Sequence, residues 1–300
     1  MAVNKKLFFI FCVFCLSSKG ILSWQWPTED KFITSDFGPR ISPTTNVWDF
    51  HEGIDIRADK SNVYAVEKGT AYIDGGIYNI LRIVHPNGME SRYLHLSDYL
   101  VENGDMVIAG QPIAISGSAG AKSPHLHFDF GYHPGDGPHP LKYLPYDNTR
   151  EPVITNVEPT VYEDGGIIVV KGVTGIKAEV DTTADKDLNE VKFYIDGEEK
   201  YSISYDPRTN CTEETVEPLG LGEDRFKWDN LDTTGLSEGT HEVEVHAIDA
   251  KGGEGVKTIS IFVLNCTKDY IVKGKRPILN TSRWEEVDYA KPEWGQEWTG

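Results

Sequence analysis

Hydrophobic and polar residues alternate with a period of two along much of the chain, as they do in β-strands with one buried face. The clearest run is His125-Leu126-His127-Phe128-Asp129-Phe130, in which the apolar residues face inward and the three polar residues share the other face. Similar runs recur at 191–197 and 239–253, with Asp-Gly or Gly-Gly at the turns. The pattern predicts an all-β, mostly antiparallel protein.

The histidine pair has a partner upstream in His51-Glu52-Gly53-Ile54-Asp55. Gly53 and the alternation after it favour a turn that enters a strand. Positions four apart on a straight strand lie about 13 Å from each other, so the chain must bend here if His51 and Asp55 are to hold one ion. Two histidines and one carboxylate, with a position left for water, are the ligands of a catalytic zinc site.

The helical zincin motif does not fit this segment, since no second histidine follows Glu52. Another group must then accept the proton of a zinc-bound water, and histidine is suited to this role near neutral pH. His95 and His125 are the candidates.

Five segments, in order, resemble the lysostaphin/LytM-type zinc metallopeptidases, a family of peptidoglycan endopeptidases. The resemblance extends over about residues 26–132, and its segments are 33–40, 51–56, 93–97, 104–113 and 125–128. It implies that Zn²⁺ is bound by His51, Asp55 and His127. It also implies that His95 and His125 flank the reaction centre and handle protons.

All five of these positions are intact, whereas degenerate members of the family lack ligands and act as binding or activating modules. A non-catalytic wall-binding or hydrolase-activating module is therefore the alternative. The loop 117–124 departs from the family pattern, which leaves the substrate preference open. Segment 104–113 also resembles lipoyl and biotinyl carrier domains, but no Met-Lys-Met tip is present and such a carrier needs no histidine pair.

The chain divides into four predicted parts. Residues 1–23 form a signal peptide, with Lys5 and Lys6 before an apolar run that is too short to span a bilayer. Residues 24–148 form the catalytic domain. Residues 150–265 resemble a bacterial immunoglobulin-like domain, and residues 266–300 are a tail. We expect an exported monomer, secreted or held in the periplasm or cell envelope, without a membrane span after signal cleavage.

The net charge of the chain limits the kinds of partner that it can bind. The formal charge is −18, and residues 151–300 carry 31 acidic against 16 basic side chains, so most of the negative charge lies in the second half. Such an acidic surface argues against nucleic acid as a partner. The expected partner is the peptide part of peptidoglycan.

Several further residues have structural interpretations. Asp181, Asp185, Asp187 and Glu190 lack the EF-hand spacing and are read as an ordinary loop rather than a calcium site. Signal cleavage would leave Cys211 and Cys266, and we favour a disulfide between them, although the sequence does not place them together. Arg40 either contacts substrate or is solvated. The remaining histidines are read as surface or hydrogen-bonded residues, with His133 and His139 in a loop near the cleft; they are His85, His133, His139, His241 and His246.

Overall fold

The computed structural model describes residues 24–131, 137–159, 163–164, 167–182, 186–205, 210–220 and 222–265, together with strands at 272–277 and 284–289. The predicted signal peptide, His133, Asp185, Cys266 and most of the tail lie outside the described residues. Among the described residues, no helix has the length and apolar character needed to cross a membrane.

The described elements are almost all strands. They are β1 (Ile33–Ser35), β2 (Gly38–Ile41), β3 (Trp48–His51), β4 (Ile54–Ile56), β5 (Asn62–Tyr64), β6 (Gly69–Gly75), β7 (Ile80–Val84), β8 (Glu90–Leu94), β9 (Leu96–Tyr99), β10 (Met106–Val107), β11 (Pro112–Ser116), β12 (Leu126–Gly131), β13 (Val153–Pro159), β14 (Glu163–Asp164), β15 (Ile167–Val170), β16 (Val173–Asp181), β17 (Leu188–Ile195), β18 (Glu198–Ser204), β19 (Val216–Gly220), β20 (Glu223–Asp232), β21 (Gly239–Asp249), β22 (Glu254–Val263), β23 (Val272–Pro277) and β24 (Trp284–Tyr289). Two single-turn 3₁₀ helices occur at Pro140–Lys142 and Thr233–Gly235.

Strands β1–β12 form three antiparallel sheets, here called the N-terminal sheets. The largest has the order β1-β4-β12-β8-β7-β6-β10, a second has the order β5-β11-β9, and β2 pairs with β3. The predicted alternation on β12 is confirmed, because Leu126, Phe128 and Phe130 are fully buried. These side chains pack with Ile54 and Tyr93 from the neighbouring strands and fix the sheet that carries the site.

Strands β13–β22 form the C-terminal sheets, one with the order β13-β16-β20-β19 and one with the order β14-β15-β22-β21-β17-β18. Their pairings are antiparallel except that of β15 with β22. The predicted Asp-Gly turn joins β17 to β18, with Asp196 and Gly197 both at positive φ as a tight hairpin turn requires. The all-β, antiparallel prediction is confirmed, and the immunoglobulin-like assignment stays a prediction.

Candidate metal centre

Three different strands bring the predicted ligands together. In the large sheet β12 pairs with β4 so that His127 lies directly opposite Asp55. His51 is the last residue of β3, and the chain turns at Glu52 and Gly53 before it enters β4. The bend thus moves His51 out of the line of β4 and towards Asp55.

The donor atoms of these residues converge. His51 Nε2 lies 3.0 Å from His127 Nδ1 and 3.2 Å from Asp55 Oδ1, and His127 Nδ1 lies 3.0 Å from the same oxygen. Ligands of a tetrahedral zinc are about 3.3 Å apart when each bond is about 2.0 to 2.1 Å. The three donor atoms fit one such ion. Among the described residues, this is the only group of acidic, histidine and cysteine side chains that lie close enough together to hold a metal.

Each of the two predicted ligand histidines uses its second nitrogen for a contact outside the donor set. His51 Nδ1 lies 2.5 Å from the carbonyl oxygen of Asp36, to which it donates. His127 Nε2 lies 3.3 Å from Asp129 Oδ2. Contacts of this kind fix the tautomer and the ring orientation of metal-binding histidines.

Asp129 is the buried member of this arrangement, at 1% exposure. Its other oxygen accepts a hydrogen bond from Arg92 Nε at 2.5 Å, across the β12–β8 pairing that sets the two residues opposite each other. The sequence placed Asp129 on the histidine face without giving it a role. The structure makes it the support of His127.

Arg40 supports the carboxylate ligand. Its Nη1 donates to Ser35 Oγ at 2.8 Å and lies 3.5 Å from Asp55 Oδ2, the oxygen that does not face the histidines. Arg40 also pairs with Asp49 at 3.7 Å. It is therefore engaged within the site, and the view of it as a solvated side chain is wrong.

The charges of the donor set depend on each other. Burial raises the pKa of the Asp55 carboxyl, but its contacts with the imidazoles of His127 and His51 outweigh this effect and hold that pKa far below its usual range. Burial lowers the pKa of His127, but hydrogen bonds to Asp129 and Asp55 raise it to about 9. Burial lowers the pKa of His51. The Asp55 carboxyl thus stays ionised, and the His127 imidazole is the main group that stabilises its charge.

His95 and His125 lie next to the donor set. Their ring centroids are 4.6 Å apart, and the His95 ring is 6.0 Å from that of His127. His95 Nδ1 donates to Ala119 O at 2.6 Å, and His125 Nδ1 donates to Ser123 O at 2.9 Å. The Nε2 atom of His125 is 3.5 Å from Asp55 Oδ1.

Burial is the main cause that lowers the pKa of the His95 imidazole. His95 sits between β8 and β9 with φ +65°, in the left-handed region that non-glycine residues seldom adopt. Its amide donates to Tyr78 O at 2.7 Å. This backbone conformation turns the ring towards His125 instead of along the strand.

Tyr78 and the loop 117–124 form one edge of the site. The Tyr78 ring is 42% exposed and meets the His95 ring edge-on at 5.7 Å. Gly120 has φ +70°, and a Cβ there would lie 2.5 Å from the tyrosine ring. Sequence reasoning missed Tyr78, because no local pattern marks a hairpin-turn residue that contacts a distant histidine.

The other described histidines have structural partners. His85 contacts Lys68 O and Ser91 Oγ, each at 2.9 Å. His139 is buried against Phe37 and accepts a hydrogen bond from Leu141 N at 3.2 Å, so it is a hydrogen-bonded residue, as expected, and not a surface one. In the C-terminal sheets His241 contacts Asp196 and His246 contacts Glu254.

Two further predictions stay open. The first concerns the acidic loop that was considered as a calcium site. In this loop Asp187 is buried and accepts a hydrogen bond from Tyr146 OH at 2.5 Å, which joins the two groups of sheets. Cys211 is buried, and its predicted partner lies outside the described residues.

A His-Asp-His donor set with two neighbouring imidazoles, on an antiparallel sheet, defines a candidate metallopeptidase centre. Residues 49–137 match peptidase family M23, and this part of the chain is an M23 domain. The match includes His51, Asp55, His95, His125 and His127.

Three similar proteins illustrate the range of this family. The chain is 36% identical over 134 residues to the murein hydrolase activator NlpD of Escherichia coli. The aligned region covers 43% of this chain and 33% of that protein. The chain is 37% identical over 102 residues to the DD-carboxypeptidase/endopeptidase Mpg of Neisseria meningitidis, covering 32% and 24%. The catalytic domain of lysostaphin from Staphylococcus simulans is 28% identical, with a TM-score of 0.34 and coverage of 37% and 89%.

The chain thus spans a third or less of the length of NlpD and of Mpg.

Proposed function

We propose that the chain is an exported zinc-dependent endopeptidase that hydrolyses peptide bonds in the stem peptides or cross-bridges of peptidoglycan. One observation carries the proposal: three donor atoms that fit one zinc ion and two further imidazoles meet at one place. The relative Mpg is named a DD-carboxypeptidase/endopeptidase, which supports the same chemistry. The predicted signal peptide at residues 1–23 supports export, which would bring the chain to a substrate outside the cell membrane.

In this proposal His51, Asp55 and His127 hold the ion. When bound, zinc lowers the pKa of a water molecule to near 7 and polarises a carbonyl group. The chain's own task is then to move protons. With its Nδ1 proton held by Ala119 O, His95 is neutral and has an accepting Nε2, since burial lowers its pKa. It can therefore take up a proton at neutral pH and return it to a leaving amine.

His125 has a complementary role. Its Nε2 faces Asp55 Oδ1 at 3.5 Å, on the side of the donor set. An imidazole N–H beside the reacting carbonyl stabilises negative charge that develops on the oxygen. His95 and His125 thus divide proton acceptance and charge stabilisation between them.

A second function has specific support. NlpD is named a murein hydrolase activator, and it is as similar to this chain as Mpg is. A wall-binding module that activates another hydrolase is therefore the alternative. The complete set of five residues favours the endopeptidase, because a module that only binds has no use for the two neighbouring imidazoles.

The test compares two histidine variants. His127→Ala is expected to lose both zinc and cleavage, because it removes a ligand, whereas His125→Ala is expected to keep zinc and lose turnover. Zinc content is measured by elemental analysis and cleavage by release of amines from purified walls of defined cross-link type. Zinc binding without cleavage of any wall would favour the activator, and full cleavage by zinc-free protein in chelator would overturn the endopeptidase.

A further inference from the structure

The turn between β1 and β2, residues 36–38, lies against the C-terminal sheets. Lys186 Nζ, from the segment before β17, is 3.0 Å from Asp36 Oδ1. Gly38 has φ +119°, and a Cβ there would lie 2.7 Å from the Tyr205 ring. Only glycine lets the turn come so close to this tyrosine.

A second contact reaches the strand that carries His51. Trp48, at the start of β3, donates from Nε1 to the carbonyl oxygen of Val216 on β19 at 3.1 Å. Val216 is fully buried, so the acceptor belongs to the ordered core of the C-terminal sheets. The β2–β3 pair is therefore held at two points by residues that lie more than a hundred positions further along the chain.

The same turn supports a proposed metal ligand. The carbonyl oxygen of Asp36 accepts the hydrogen bond from His51 Nδ1, while the side chain of Asp36 is paired with Lys186. One residue thus joins the imidazole to the C-terminal sheets through its backbone and its side chain. A shift of this turn would move the acceptor that orients the ring.

We infer that the C-terminal sheets take part in zinc binding, with Lys186 and Tyr205 as positioning residues that hold the 36–38 turn and, through the Asp36 carbonyl, the ring of His51. The inference rests on the proposed role of His51 as a zinc ligand. It gives the second half of the chain a function besides spacing or docking, because the hydrogen bond that orients His51 is then held in place by contact with the C-terminal sheets.

Another contact between the two groups of sheets provides a matched control. Lys251 Nζ donates to the carbonyl oxygens of Lys142 and Leu144, each at 3.1 Å. This lysine joins the C-terminal sheets to the segment after the N-terminal sheets, and neither of its two acceptors belongs to the 36–38 turn. Its loss loosens the same interface and leaves the support of His51 in place.

The experiment measures the zinc affinity of the full chain by competition with a chromophoric chelator, and the thermal midpoint of the metal-free protein. Lys186→Ala and Asp36→Asn are each expected to weaken zinc binding about 3- to 10-fold, less than the 10- to 100-fold typical of direct partners of a ligand. The double variant should be no weaker than either single one, because both remove one ion pair. Lys186→Arg should restore most of the affinity, and Lys251→Ala should leave it unchanged.

Wild-type zinc affinity in Lys186→Ala overturns the inference. So does an equal loss in Lys186→Ala and Lys251→Ala, which would mean that any loosening of the interface has this effect. Wall cleavage is measured in parallel, so the two proposals can fail separately. A wild-type chain that binds zinc without cutting any wall loses the endopeptidase function, while the comparison of affinities still decides the role of Lys186.

Discussion

At the scale of single residues, the four histidine rings at the site have the same kind of hydrogen-bond partner. Each has one ring nitrogen against a protein oxygen, which leaves the opposite nitrogen for the metal or the substrate. Three of the oxygens are backbone carbonyls and one belongs to a carboxylate. The pairs are His51 with Asp36, His95 with Ala119, His125 with Ser123 and His127 with Asp129. Ring orientations are thus fixed by the protein itself, and less reorganisation is needed on binding.

The carboxylate partner offers a direct test of this arrangement. Asp129→Asn keeps the shape of the side chain but removes the charge that holds His127 Nε2. Zinc affinity and wall cleavage are expected to fall by about 10- to 100-fold, as for other outer partners of metal ligands. Both are measured on purified protein, with the thermal midpoint of the metal-free form to detect a change in folding.

The control for this variant is Asp74→Asn. Asp74 pairs with Arg82 in the same sheet, but its side chain is 43% exposed and its partner contacts no ligand. An exposed pair of this kind contributes little to stability. If Asp129→Asn and Asp74→Asn bind zinc equally well, Asp129 has no role in holding His127.

At the level of the strands, the site depends on one pairing that local sequence does not contain. Alternation along 125–130 is enough to predict that His127 and Asp129 share a face, and Gly53 marks the bend. The register that sets His127 opposite Asp55 joins positions 72 apart, and it is decided by packing of Ile54 and Phe128 in the common core. For the same reason, the supporting roles of Asp36, Arg40 and Tyr78 were not predictable, because each depends on tertiary contacts.

The bend itself gives a prediction about Gly53. A Cβ at this position would lie 2.6 Å from both His127 Nε2 and the carbonyl oxygen of Phe128. Gly53→Ala therefore forces β12 away from the bend, and we expect a loss of about 1 to 3 kcal/mol in the free energy of unfolding. Zinc affinity should fall as well, because the displaced ring is that of a ligand. Urea unfolding and chelator competition measure the two effects.

Gly235→Ala is the matched control. Gly235 ends the second 3₁₀ helix, and a Cβ there meets no atom within 4 Å. Its effect on unfolding should stay within about 0.5 kcal/mol. Equal behaviour of the two variants would contradict the close approach of β12 to Gly53.

At the scale of the whole molecule, contact between the two groups of sheets involves acidic side chains that are withdrawn from water. Asp187 accepts from Tyr146, and Asp249 accepts from Asn148 at 2.7 Å. Within the C-terminal sheets, Asp224 accepts from Tyr205, whose ring lies against Gly38 of the N-terminal sheets. The net charge of the second half therefore does not describe its inner face, where carboxylates serve as hydrogen-bond acceptors. This use of acidic residues is not visible in a charge count.

Asp224 makes the stability of this interface dependent on pH. Burial raises the pKa of its carboxyl to about 7; the hydrogen bond from Tyr205 opposes the rise and the charge of Asp36 adds to it. In the unfolded chain the pKa returns to about 3.9. Between about pH 4 and pH 7 the folded protein therefore holds a proton that the unfolded chain has released. The free energy of unfolding falls as the pH rises through this interval, and the full loss is present above it.

Asp224→Asn should remove this dependence, because an amide stays neutral at every pH of the experiment and still accepts from the tyrosine hydroxyl. The variant is expected to match the wild type near pH 4 and to exceed it at pH 8, by at most about 4 kcal/mol for a shift of roughly three pKa units. Thermal unfolding across pH 4 to 8 measures the difference, with Asp229→Asn as a control on an exposed position of the same strand. Parallel curves for Asp224→Asn and the wild type would mean that Asp224 is not the group whose proton couples the interface to pH.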